Sequence, residues 1–149
     1  MLIVKSRLFG GDGGKAFEES ADHIARIERI TVHYAQFVTG LEVTYLLENG
    51  ERLAKAYGKD GSEKSAEMVL ADDERICAVG VRSGQYVDSL TFVTYRMFNL
   101  IGMKQYGPYG GPGGQGGTVL SPNIREFFGR AGGVLDAIGF RGEEPLLVF

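Results

Sequence analysis

One strand pair is written three times along this chain at near-constant spacing. It reads Ile27-Glu28-Arg29-Ile30-Thr31-Val32 then Thr39-Gly40-Leu41-Glu42-Val43, and again Ile76-Cys77-Ala78-Val79-Gly80-Val81 then Asp88-Ser89-Leu90-Thr91-Phe92. The third copy is Ile124-Arg125-Glu126-Phe127-Phe128-Gly129 then Asp136-Ala137-Ile138-Gly139-Phe140, and the three align without a gap. A glycine-marked turn precedes each copy: Gly10-Gly11-Asp12-Gly13-Gly14, Gly58-Lys59-Asp60-Gly61-Ser62 and Gly110-Gly111-Pro112-Gly113-Gly114. Units repeated at this length bury their apolar side only against one another, so they form one array. A function carried by one unit can therefore recur in the others.

Within each copy the hydrophobic pattern has period two. Ile30, Val32 and Tyr34 alternate with Thr31 and His33, and Leu41, Val43 and Tyr45 alternate with Glu42 and Thr44, as in half-buried strands. Glu48-Asn49-Gly50 is a hairpin signal that accepts positive φ. The 23 glycines would weaken helices but suit an all-β chain rich in tight turns. Residues 62–69 come closest to a helical stripe, and the repeat makes them a strand entry instead. The expectation is ten to twelve short strands in three four-stranded antiparallel sheets. Three such groups are too few for a propeller. They can close as the faces of a triangular prism, with Leu41, Leu90 and Ile138 in equivalent inward positions, and likewise Val43, Phe92 and Phe140. The link from Tyr95 to Tyr106 carries Met97, Phe98, Leu100 and Met103 and reads as a lid over a prism edge or a partner-contact loop.

A length of 149 residues fits a single domain over 1–149 with a real core. No apolar run approaches the ~20 residues of a membrane span. The first residues lack a signal-peptide pattern and read as a strand, which points to the cytoplasm or to non-classical release. With a net charge of -3 and scattered basic residues, nucleic acid is not an expected partner. The single Cys77 cannot form an internal disulfide and reads as a structural thiol.

Two units hold a short glycine-to-aspartate spacing between their strands, Gly84-Gln85-Tyr86-Val87-Asp88 and Gly132-Gly133-Val134-Leu135-Asp136. The first unit has Ala35-Gln36-Phe37-Val38-Thr39 there and lacks both residues. Such a loop sets backbone N–H donors beside one anionic acceptor, the combination that a pair of sugar hydroxyls needs. Alone the pattern is weak, because Gly and Asp are also ordinary turn residues. The glycine runs equally allow a mobile tip or an anion nest. No lysine–serine/threonine pair follows them into a helix, so a P-loop is excluded. Enzyme readings fail on inventory: His23 and His33 are the only histidines, and no metal-ligand spacing surrounds them. A glycosidase needs two carboxylates flanking one bond, about 5–9.5 Å apart, whereas Asp88 and Asp136 belong to different units. Neither Ser83 nor Ser121 has a base in reach by pattern.

Together these residues resemble the jacalin-related lectins, the β-prism I family. The matching blocks are Gly13-Gly14-Lys15-Ala16-Phe17, Asp88-Ser89-Leu90-Thr91-Phe92-Val93-Thr94, Tyr106-Gly107-Pro108-Tyr109-Gly110 and Gly133-Val134-Leu135-Asp136-Ala137-Ile138-Gly139, spanning residues 7 to 141. The resemblance implies a non-catalytic lectin that needs no metal or cofactor and has glycans or glycoproteins as partners. The backbone N–H groups of Gly14, Gly133 and Val134 would donate to the sugar, and Asp136 would accept from two hydroxyls. Some members use the pairing more than once, so a second site would join Gly114 with Gln85, Tyr86 and Asp88, the Tyr86 ring packing on the sugar's apolar face. A third, pairing Thr39 with Ser62, looks dead. Galactose-preferring members have a cleaved chain whose new amino terminus falls at the equivalent of Gly14. This chain runs on ahead of Gly14, which implies mannose/glucose preference. Two further readings stay open. One is a β-prism interaction or assembly module with vestigial sugar loops, using the Met97–Met103 segment and the Pro145–Phe149 tail. The other is a lectin for acidic glycans or headgroups, using Lys15 and Arg130. Homo-oligomerisation is open as well.

Overall fold

The computed structural model describes residues 2–18 and 23–149. Its strands run in chain order as β1 (Ile3–Lys5), β2 (Phe9–Gly10), β3 (Lys15–Glu18), β4 (Ile24–Tyr34) and β5 (Val38–Leu47). There follow β6 (Arg52–Gly58), β7 (Lys64–Val69), β8 (Glu74–Ser83), β9 (Val87–Arg96) and β10 (Asn99–Gly110). The last are β11 (Gln115–Leu120), β12 (Ile124–Ala131), β13 (Leu135–Glu143) and β14 (Leu147–Val148). No described residue is helical.

The repeated strand pairs are the central antiparallel hairpins β4–β5, β8–β9 and β12–β13, one in each of three sheets. The orders are β6-β5-β4-β7, β10-β9-β8-β11-β14, and β1-β13-β12-β3 with β2 also on β13. The expected four-stranded sheets are thus sheets of four, five and five. One extra strand arises because the N-terminal edge is broken in two. Between its halves Ser6 still pairs with Phe140: the Phe140 N–H donates to Ser6 Oγ at 3.0 Å, and the Ser6 N–H donates to Phe140 O at 2.8 Å. The other is β14, in which Leu147 and Val148 of the tail pair with Leu120 and Val119.

The three sheets enclose one core, and the repeat dictates its layers. Leu41, Leu90 and Ile138 are at most 1% exposed, as are Val43, Phe92 and Phe140. A third layer has Ile30, Val79 and Phe127, all with no exposed surface. Phe127 lies edge-on to Phe140 at 5.5 Å and tilted against Phe92 at 6.2 Å, favourable aromatic geometries. Side chains that alternate along a strand point to opposite faces, so period two alone fills the prism. The Cys77 thiol donates to Val93 O at 3.5 Å, and burial pushes its pKa up, as suits a structural residue.

Residues 62–69 become mostly β7, and the Glu48-Asn49-Gly50 signal turns β5 into β6, with Gly50 at φ +88°. The Tyr95–Tyr106 link is neither a separate lid nor a loop. It is the far end of the β9–β10 hairpin, turning at Met97 and Phe98, with Asn99 paired to Arg96. Its turn bears no glycine or proline, which is why the sequence pattern read as a connection. Gly110 pairs with Ser89 at the other end of this hairpin, so the apolar tip points away from the glycine turns.

Candidate functional site

The glycine turns meet the glycine–aspartate loops in a fixed way. Each turn leads into a strand that pairs with the first strand of a central hairpin: β3 with β12, β11 with β8, and β7 with β4. The turn at 110–114 therefore serves the unit before it in sequence, and so does the turn at 58–62. The turn at 10–14 serves the last unit, closing the array on itself. This brings together two of the pairs that the resemblance implies, Gly14 with Asp136 and Gly114 with Asp88, and in the first unit it sets Lys59 against Thr39.

In the first pocket Asp136 stands near the start of β13 and is 5% exposed. Its carbonyl accepts from the Gly11 N–H at 2.9 Å, and the adjacent tip is tied by the Gly132 N–H to Val134 O, also 2.9 Å. Gly14 has φ +68°, and a Cβ there would lie 2.5 Å from Asp136 Oδ1 and 2.6 Å from the Ala131 carbonyl carbon. A Cβ on Gly13 would meet Asp136 Oδ2. The carboxylate and the turn backbone thus approach closely only because both residues are glycine. Gly133 faces open space.

The second pocket repeats this atom for atom. Asp88 is 7% exposed, the Gly111 N–H donates to Asp88 O at 3.0 Å, and the Gly84 N–H donates to Tyr86 O at 3.0 Å. Gly114 has φ +73°, and a Cβ on it would lie 2.6 Å from Asp88 Oδ1. The Tyr86 ring lies edge-on to Phe37 at 5.3 Å, and the Gln85 carbonyl abuts Gly11 of the first pocket's turn. The first unit keeps the backbone frame, with Lys59 N–H to Thr39 O and Ala35 N–H to Phe37 O, each 2.9 Å. It lacks the carboxylate: Thr39 Oγ1 donates to His33 O at 3.1 Å.

Among the described residues four carboxylates are buried: Glu74, Asp88, Glu126 and Asp136. Glu74 accepts from Thr94 Oγ1 at 2.6 Å, Tyr106 OH at 2.8 Å and the Ala71 N–H at 3.0 Å. Glu126 is paired with Arg141. The side-chain carboxylates of Asp88 and Asp136 make no hydrogen bond or ion pair with any described residue. Their oxygens are not among the fully buried atoms that lack a partner, so these two carboxylates keep acceptor capacity open to solvent beside the glycine turns.

Two arginines complete the arrangement: Arg130, which the sequence reading gave only to an acidic ligand, and Arg82, which it did not assign. Arg130 donates from Nε to Asp12 O at 3.1 Å and Gly13 O at 2.9 Å, and from Nη2 to Gly14 O at 3.0 Å. Arg82 donates to Pro112 O, Gly113 O and Gly114 O at 3.1, 3.1 and 2.8 Å. The signal was available, because Arg82 and Arg130 occupy the same place in their units, where the first unit has His33. All three of these Arg130 bonds go to neutral carbonyls of the glycine turn.

Residues 6–141 match the family described as Jacalin-like lectin domain. The fold is similar to that of a mannose-binding jacalin-related lectin from Ananas comosus, at TM-score 0.81 and 28% identity over 99% of each chain. It is also similar to Malaysian banana lectin, at TM-score 0.80 and 25% identity over 97% of each chain. Artocarpin complexed with methyl α-mannose matches at TM-score 0.81 and 26% identity, over 96% of this chain and 99% of that one. This chain therefore belongs to the jacalin-like lectin family and is a carbohydrate-binding protein, not an enzyme.

Proposed function

We propose that the chain binds mannose/glucose-type sugars in the pocket between the 10–14 turn and the 132–136 loop. There the Gly14, Gly133 and Val134 N–H groups donate and Asp136 accepts from two hydroxyls. A second sugar sits between the 110–114 turn and the 84–88 loop, held by Gly114, Gln85, Tyr86 and Asp88. Recognition uses amides and one carboxylate per sugar, so no metal or cofactor takes part.

The observation that carries this reading is the contrast among the buried acidic residues: the two facing the glycine turns are the two whose carboxylates have no partner among the described residues. Sugar hydroxyls would supply the missing donors, and charge-assisted bonds of this kind are the stronger class. The mannose/glucose preference is supported by the Gly14 nitrogen, which is a peptide amide following Gly13 rather than a free amine. It is supported too by the relatives, since the Ananas lectin is mannose-binding and artocarpin was solved with methyl α-mannose. Units two and three also keep the aspartate that the first unit has replaced with Thr39, which argues against vestigial pockets.

Calorimetry with methyl α-mannoside in excess EDTA tests the proposal. Two sites are expected in the wild type and one in Asp88→Asn, with EDTA making no difference. A stoichiometry of one that Asp88→Asn leaves unchanged would remove the second pocket. Binding lost to EDTA would overturn the metal-free mode.

A further inference from the structure

The two arginines do more than brace a loop. In a peptide unit the carbonyl of one residue and the N–H of the next are the two ends of one amide. Arg130 Nε donates to Gly13 O, and the N–H at the other end of that amide belongs to Gly14. Arg82 Nε donates to Gly113 O, and the N–H at its other end belongs to Gly114. In each pocket the charged guanidinium thus pulls on the far end of the amide that faces the sugar. Hydrogen bonds in such a chain polarise one another, so a cation on the carbonyl makes the N–H a stronger donor.

We propose that Arg130 and Arg82 are positioning residues that both fix and polarise the Gly14 and Gly114 amides; this rests on the pockets assigned above. The guanidinium suits the task because its rigid planar fork reaches three neighbouring carbonyls at once, which a lysine ammonium cannot reproduce. Its origin is equally rigid. Arg130 lies on a central strand, paired on one side with Ala16 and on the other with Ala137. Arg82 is likewise held between Gly116 and Ser89. A turn with four glycines in five residues has one side chain of its own, Asp12 or Pro112, and loses much conformational freedom when fixed. Three bonds from one anchored side chain supply that order.

The first unit separates this role from mere loop building. Its 58–62 turn keeps the same backbone bond to the hairpin, Lys59 N–H to Thr39 O at 2.9 Å. Yet His33 stands in the arginine's place, between Gly40 and Ser65, and its Nε2 pairs with Glu42 Oε2 at 2.7 Å. The turn therefore forms without a guanidinium beneath it. Arginine is present in the two units that retain the carboxylate and absent from the one that lost it, so it accompanies the pocket rather than the fold.

The test is a titration of 15N-labelled protein with methyl α-mannoside, followed at the Gly14, Gly133 and Val134 amides, for wild type, Arg130→Met, Arg130→Lys and Asp136→Asn. Arg130→Met is expected to weaken the pocket about 10-fold or more, the loss set by forfeiting charge-assisted bonds. Arg130→Lys should fall between the two, since it keeps charge but not the fork. In the free proteins the Gly14 amide proton should move upfield in the same order, which a purely structural brace would not produce. If Arg130→Met does not fold, Arg130→Lys decides alone. Affinity within twofold of wild type together with an unmoved Gly14 amide would overturn the positioning role. Binding retained in Asp136→Asn would instead overturn the pocket on which it rests.

Discussion

Gly14 and Asp136 sit so close that a single added carbon on Gly14 would lie 2.5 Å from the Asp136 Oδ1 atom. Their proximity depends on the left-handed backbone of Gly14, at φ +68°, and on β3 and β13 flanking β12 from opposite sides. Gly14→Ala should therefore lose methyl α-mannoside binding and also destabilise the protein, by about 1–3 kcal/mol for strain at a positive-φ site. Gly133→Ala is the control, because a Cβ there meets nothing within 4 Å. Thermal melts of the two variants should differ clearly, with Gly133→Ala near wild type.

Asp136→Asn and Glu74→Gln should behave in opposite ways although both carboxylates are buried. The Asp136 carboxylate has no partner among the described residues to lose, so its amide variant should melt close to wild type while monosaccharide binding falls below detection. Glu74→Gln removes a charged acceptor from Thr94 and Tyr106. It should cost about 1–3 kcal/mol and leave sugar binding intact. Paired melts and titrations of the two variants check this.

Glu74 also sets a pH dependence. Burial pushes its carboxyl up, but hydrogen bonds from Thr94, the Ala71 N–H and Tyr106, with the nearby Lys104 charge, outweigh burial and leave it below its ordinary value of 4.5. A carboxyl depressed in the folded state stabilises above the unfolded pKa, and that contribution is lost as pH falls through the folded pKa. The Tm advantage of wild type over Glu74→Gln should hold at pH 7 and shrink below about pH 4, near the unfolded carboxylate range. A constant difference from pH 7 to pH 3 would contradict it.

The prism layers predict a graded response to core substitution. Leu90 has no exposed surface and sits level with Leu41 and Ile138. Leu90→Ala should cost about 2–5 kcal/mol through the cavity it leaves. Leu90→Met and Ile138→Leu conserve volume and should each cost under ~1.5 kcal/mol. Denaturant melts give these values directly.

The layers were legible in the sequence because strand side chains alternate, and three aligned copies placed Leu41, Leu90 and Ile138 on one face. The pocket pairings came from the family resemblance, not from the repeat, which sets each glycine turn ahead of a unit. Hydrogen bonding instead attaches the turn to the hairpin before it and sends 10–14 around to the last unit, a closure no local pattern records. The Met97–Phe98 turn was hidden because its residues are apolar and carry no turn signal. β14 was hidden because two residues make no period. The roles of Arg82 and Arg130 were missed for a different reason. An arginine at a strand end reads as solvated surface until the carbonyls opposite it are known, and only its replacement by His33 in the first unit hinted otherwise.

The account turns on Asp136 and Gly14 forming a working sugar pocket. The most direct measurement is a residue-resolved 15N–1H titration of the wild-type chain with methyl α-mannoside. The Gly14, Gly133 and Val134 amides should shift together with a dissociation constant near millimolar, about -4 kcal/mol, and should stay still in Asp136→Asn. Saturable shifts confined to other residues, or an Asp136→Asn titration that matches wild type, would contradict it.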